Sequence, residues 1–119
     1  MTLREIVEKL DFKVKAGSGK LDNEVKRGYV SDLLSDVIAN SQEGDIWVTL
    51  QIHQNIVAVA SLNGLSGIVL VNGRCPEKET IQKAETEGIP IVVSELSAFE
   101  VVGKLYNLGV LGVTDAGGV

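Results

Sequence analysis

Gln51-Ile52-His53-Gln54-Asn55 is a polar cluster set between two apolar runs, Ile46–Leu50 and the Ala-rich Asn55–Leu62. If the first run is a strand and the second a helix, these side chains and the helix amides face a crevice. Helix N-termini attract anions. His53 is the only histidine, the residue type suited to proton exchange near neutral pH. As a general base it would need a nucleophile within hydrogen-bond reach, and Thr49 and Ser94 are the candidates. The same cluster fits a plainer reading, in which Gln54 or Asn55 caps the helix and His53 is a surface ring. A second polar corner, Val71-Asn72-Gly73-Arg74, follows the apolar run Ile68–Val71. Asn72 and Gly73 permit close approach of a ligand, and Arg74 can clamp a phosphate or carboxylate. The plain alternative is a turn with Arg74 solvated. Ser94 opens a third corner after Ile89–Val93.

Other groupings exclude more than they offer. Ala16-Gly17-Ser18-Gly19-Lys20 has the look of a phosphate loop, but Val14 stands where the first glycine is required and Leu21 where the hydroxyl is required. Glycine and serine make it a turn. One cysteine, Cys75, and one histidine are too few for a metal site, and no metal or cofactor is expected. Asp32 and Asp36 lie one helical turn apart, as a solvated helix face does; an acid–base dyad would need a cleft around them.

These corners need elements to position them. Gly44–Gly73 reads as strand, helix, strand, about the minimum for a parallel crossover. Pro76-Glu77-Lys78-Glu79 opens a further helix ended by Gly88, and Ile89–Val93 forms the next strand. Ser97 caps a last helix, Ala98–Leu108, with Phe99, Val102, Leu105 and Tyr106 as its inner face. Upstream, Thr2 and Glu5 form a capping box for a helix over Thr2–Leu10. Asp11–Ala16 alternates as a half-exposed strand, and Leu21–Val30 returns as its hairpin partner. Ser31 then caps a helix to Asn40, with Leu33, Leu34, Val37 and Ile38 as its buried stripe. The expected fold is α/β: a two- or three-layer sandwich on a mostly parallel sheet, its β-α-β-α-β-α core preceded by a helix and β-hairpin. Its crossovers should be right-handed. Residues 1–44 form the front section, 45–109 the parallel core and 110–119 a tail. The tail, with four glycines, is expected to be flexible or ordered only against a partner. In such sheets ligands sit beyond the carboxyl ends of the strands, here Gln51–Asn55, Asn72–Cys75 and Ser94–Ser97.

At 119 residues the chain is one domain. Sixteen acids against eleven bases leave a net charge of −5, which argues against non-specific nucleic-acid binding and electrostatic membrane anchoring. No apolar run approaches the ~20 residues of a membrane span. The start, MTLREIVEKL, is not a secretory signal, and a single cysteine fits a reducing cytoplasm.

The run from Gln51 to Leu105 resembles the DRTGG domain. The likeness is carried by NIVAVASLNGLSGIVLVNGRCPEKETIQKAETEGIPIVV and then SAFEVVGKL, with Gly28–Ile38 extending it. Such domains occur in phosphotransacetylases, beside CBS modules in pyrophosphatases, and alone, some with iron-hydrogenase gene clusters. The amino-terminal domain of HPr kinase/phosphorylase is similar in fold. The resemblance implies an α/β sandwich that dimerises and serves regulation or assembly. His53-Gln54 replaces the family's Asp-Arg, and Val71-Asn72-Gly73 its Thr-Gly-Gly, so ligand binding through that arginine does not carry over. Nor does kinase activity.

With no phosphate loop, metal cluster or nucleophile–base signature, the expectation is a non-enzymatic homodimeric regulatory module. Gln51, His53, Asn55, Asn72, Gly73, Arg74 and Ser94 would contact a nucleotide or anionic metabolite. The alternative is an interaction subunit of a larger cytoplasmic redox enzyme such as an iron hydrogenase. In either case the dimer surface would use an apolar helix face, and Val110, Leu111 and Val113 of the tail are apolar enough to join it.

Overall fold

The computed structural model describes residues 1–112. Five strands form one sheet in the order β1-β5-β4-β3-β2: Lys13–Ala16, Ile91–Val93, Gly67–Leu70, Asp45–Thr49 and Arg27–Val30. β2, β3, β4 and β5 run parallel, and β1 is the one antiparallel member, at the β5 edge. Helices α2 (Leu34–Asn40), α3 (Asn55–Asn63) and α4 (Lys78–Glu87) connect the parallel strands. They pack Val37, Ile56, Val57, Ala60 and Ala84 on the sheet face formed by Trp47, Ile68, Leu70 and Ile91. α1 (Leu3–Leu10) and α5 (Ala98–Asn107) cover the other face, setting Leu3, Ile6, Val101 and Leu105 against Ile46, Val48, Val69 and Val92. The parallel α/β sandwich read from the sequence is therefore a three-layer one. Burial on both faces explains why its central strands are continuous apolar runs rather than alternating ones.

The end signals act as chemistry requires. Thr2 Oγ1 accepts from the Glu5 amide while the Glu5 carboxylate accepts from the Thr2 amide, the full capping box. Gly88 closes α4 in the left-handed region, and Ser97 Oγ accepts from the Glu100 amide at the start of α5.

Three expectations are corrected. The hairpin does not exist, because β1 and β2 lie on opposite edges of the sheet. Residues 20–26 instead cross the amino end of the sheet, held by Leu3 N–H to Asn23 O, Arg4 N–H to Leu21 O and Val25 N–H to Met1 O. The backbone groups of this segment thus find partners beside α1, while β1 pairs with β5. Second, α2 begins at Leu34, not at Ser31. Ser31 Oγ accepts from the Leu33 amide and the Asp32 carboxylate is engaged by β3, so neither caps the helix. Leu33 and Ile38 are exposed. Third, the core stripe of α5 is Val101 and Leu105; Phe99 and Tyr106 face outward. The first tail residues are seated: Val110 is buried and Leu111 O accepts from the Gly28 amide on the outer edge of β2. Val113 and the rest of the tail lie outside the described residues.

Candidate functional site

The parallel strands end together at Val30, Thr49, Leu70 and Val93, so the loops that follow share one rim. The three polar corners read from the sequence all lie there. The loop after β4 turns toward α4 on one sheet face, and the loop after β5 toward α5 on the other. That divergence marks the crevice where open α/β sheets hold ligands.

Asn72 and Gly73 both have positive φ, 57° and 64°, and Arg74 N–H donates to Val71 O. This is the geometry of a type I′ turn, for which Asn-Gly is the favoured pair. The turn spends its amides on the neighbouring loop: Asn72 N–H donates to Leu96 O and Gly73 N–H to Ser94 O, both at 2.8 Å. Ser94 is buried, and its hydroxyl accepts from the Leu96 amide. Asn72, Gly73 and Ser94 are thus brought together by main-chain bonds, which leaves the Asn72 side chain, not the turn amides, for a ligand. Arg74 is exposed and makes no ion pair with a described residue.

The His53 corner is tied to the same rim. Ile52 O accepts from the Glu77 amide and from Thr80 Oγ1, which binds the β3–α3 loop to the start of α4. His53 Nδ1 accepts from the Asn55 amide, so Nε2 is the nitrogen left to face solvent. The Ile56 and Val57 amides donate to His53 O and Gln54 O. The first-turn amides of α3 are therefore already spent, and an anion here would be held by side chains. Gln51 Nε2 donates to Asp32 O. Thr49 Oγ1 donates to the Asp32 carboxylate, and Ser94 Oγ serves Leu96. Both candidate nucleophiles have partners other than His53.

Asp32 is the rim residue whose role the sequence did not disclose. Its carboxylate accepts from Thr49 Oγ1 and from the Leu50 amide, each at 2.7 Å, which stitches the end of β2 to the end of β3. The chemistry of an Asp just after a strand gives a hint of this, but its partners are distant in sequence. Asp36, read as its companion, serves elsewhere. The Ser31 hydroxyl, the Asn40 amide and the Tyr29 hydroxyl hold its carboxyl below the ordinary carboxylate range. A depressed carboxyl stabilises the fold above its unfolded pKa of about 4, and that contribution is lost as pH falls through the folded value. Asp36→Asn should therefore lower the Tm at neutral pH, with the gap to wild type closing in acid. A gap that stays constant in a pH series of melts would refute the assignment.

Glu95 was also unforeseen. A Cβ built on Gly73 would lie 2.7 Å from Glu95 Oε1, so this carboxylate rests on the turn. Beside it, Asp11, Lys13, Ser94 and Leu96 line a cleft of about 210 Å³ at the end of β5. Cys75 is a free, exposed thiol, and no group of metal-ligating residues occurs among the described residues. No helix of the described residues is long and apolar enough to cross a membrane.

No protein-family model matches the chain. No curated protein matches it either. Its fold is similar to the crystal structure of the CBS and DRTGG domains of the regulatory region of Clostridium perfringens pyrophosphatase, complexed with the activator diadenosine tetraphosphate. The TM-score is 0.71 at 17% identity, covering 96% of this chain and 51% of that one. The chain thus spans about half the length of that structure. At this identity the likeness shows a DRTGG-like fold and does not show the family by sequence.

Proposed function

We propose that this chain is a non-enzymatic regulatory module that senses a small anionic ligand, a nucleotide foremost, at the carboxyl rim of its sheet, and that it works as a homodimer. The observation that carries the reading is the divergence of the loops after β4 and β5, with Asn72, Gly73 and Ser94 meeting between them. The similar pyrophosphatase regulatory region, whose structure holds diadenosine tetraphosphate, supports the nucleotide class. Arg74 supplies the positive charge, His53 Nε2 and the Asn72 side chain supply hydrogen-bonding groups, and Gln51 and Asn55 flank them.

A thermal-shift panel of nucleotides tests the reading. A ligand at about 100 times its Kd adds about 2.7 kcal/mol, which for a domain of this size raises Tm by roughly 10 °C. Arg74→Ala removes a charge-assisted bond worth about 1.5–3 kcal/mol and should weaken binding by about 10- to 100-fold. His53→Ala should act in the same direction with a smaller effect. No stabilisation by any nucleotide, or stabilisation indifferent to Arg74→Ala, would count against the rim.

A further inference from the structure

We propose that two copies of this chain pair through α5, each inserting Phe99 into an apolar cavity of the other. This rests on the homodimer reading above and supplies its surface.

α5 carries two apolar stripes. Val101 and Leu105 are buried in the core. Phe99, Val102, Gly103 and Tyr106 follow i, i+3, i+4 and i+7 spacing and share another face. On it Phe99 is 86% exposed and Tyr106 56%. Beside this face opens a cavity of about 130 Å³, walled by Gly28, Val30, Val48, Val102, Tyr106 and Leu111. A dry apolar cavity of about this size takes a benzene-sized ring, and the phenyl group of Phe99 is that size. Phe99 does not line the cavity of its own chain.

The match is self-complementary. A two-fold axis between Val102 and Gly103 sets antiparallel α5 helices with Phe99 opposite Tyr106, at the cavity mouth, and Val102 opposite Gly103. Each contact then occurs twice, as an isologous interface requires. Glycine weakens a helix interior, and nothing among the described residues accounts for Gly103: none of their atoms outside its own helix backbone lies within 4 Å of the place a Cβ would occupy. A helix crossing at that point does account for it, because no side chain holds the second helix away. The four residues of the face carry no charge, so two chains of net charge −5 meet where their repulsion is least. Val30 and Leu111, both exposed, extend the patch beyond the helix.

Sedimentation across a dilution series of the whole chain tests the proposal. The expected result is a dimer whose Kd rises about 100-fold or more in Phe99→Asp, as for a central aromatic anchor. Gly103→Leu should do the same by forcing the helices apart. Both positions are exposed, so circular dichroism and Tm should stay near wild type. Leu62→Asp, on α3 across the sheet and 70% exposed, should leave the dimer intact. A dimer indifferent to both Phe99→Asp and Gly103→Leu overturns the surface and spares the homodimer reading. A monomer throughout the micromolar range overturns both, and a monomer that binds toluene at Val102 and Tyr106 reassigns the cavity to a small apolar ligand.

Discussion

Trp47→Ala is expected to destabilise the protein by about 4 kcal/mol, within the range found when a buried large aromatic is truncated. Trp47 is wholly buried in the middle of β3, packed in the cluster shared with α2 and α3. Its indole Nε1–H donates to Ser31 O at 2.8 Å, which fastens the exit from β2 to the central strand. The substitution therefore makes a cavity and also orphans a carbonyl. Domains are stable by only about 5–15 kcal/mol, so Tm should drop by about 15 °C. Trp47→Phe separates the two effects: it retains most of the ring volume and loses the donor, for about 1–2 kcal/mol. Chemical denaturation followed by circular dichroism measures both, since Trp47 is the chain's one tryptophan and the variants lose that fluorophore. Equal losses for the two variants would mean that packing at this position matters little.

The same residue shows why the parallel core was legible. Ile46–Leu50, Ile68–Val71 and Ile89–Val93 are short apolar runs bounded by glycine, proline or polar corners, and strands covered on both faces have that pattern. Gly88, Ser97 and the Thr2–Glu5 pair were readable because their chemistry acts within a few residues. The misreadings share a different cause. Residues 21–30 carry Leu21, Val25, Tyr29 and Val30 as apolar marks at no strand-like spacing, and their backbone partners lie near Met1 and Leu111, contacts that no local pattern encodes. On α5 two stripes are equally apolar. Hydrophobicity alone does not distinguish the one that meets Val48 from the one that meets solvent.

The rim divides in the same way. That His53, Asn72 and Ser94 belong to one edge followed from strand order. That the amides of Asn72, Gly73 and Asn55 are already engaged did not, because it depends on how two loops meet. The consequence for function is specific. A ligand at this rim meets side chains on a zipped surface, so binding should be moderate and sensitive to single side chains, and not built on a cradle of backbone donors as in a phosphate loop.

Gly17→Ala should be the second severe substitution, at about 3 kcal/mol, although it adds a single methyl group. Gly17 ends β1 with φ at +71°, and a Cβ there would lie 2.5 Å from both the carbonyl carbon and oxygen of Ile89 and 2.6 Å from Pro90 Cα. All three are main-chain atoms at the entry to β5, which is bonded on both sides and has no freedom to retreat. The left-handed backbone contributes about 1–2 kcal/mol and the forced displacement about as much again. Gly19→Ala, two residues on, is the control: no atom of the described residues lies within 4 Å of its Cβ position and its φ is ordinary, so Tm should barely move. The contrast also gives the Gly-Ser-Gly-Lys run its meaning. Lys20 N–H donates to Gly17 O in a single tight turn, Ser18–Lys20. This turn starts the crossing beneath the sheet at the edge opposite β2, and it lies at the amino end of the parallel strands, away from the rim. Its glycines should therefore differ in stability effect and agree in leaving the proposed nucleotide binding at the rim unchanged. Loss of binding in a folded Gly19→Ala would instead place the ligand at this turn rather than at the rim.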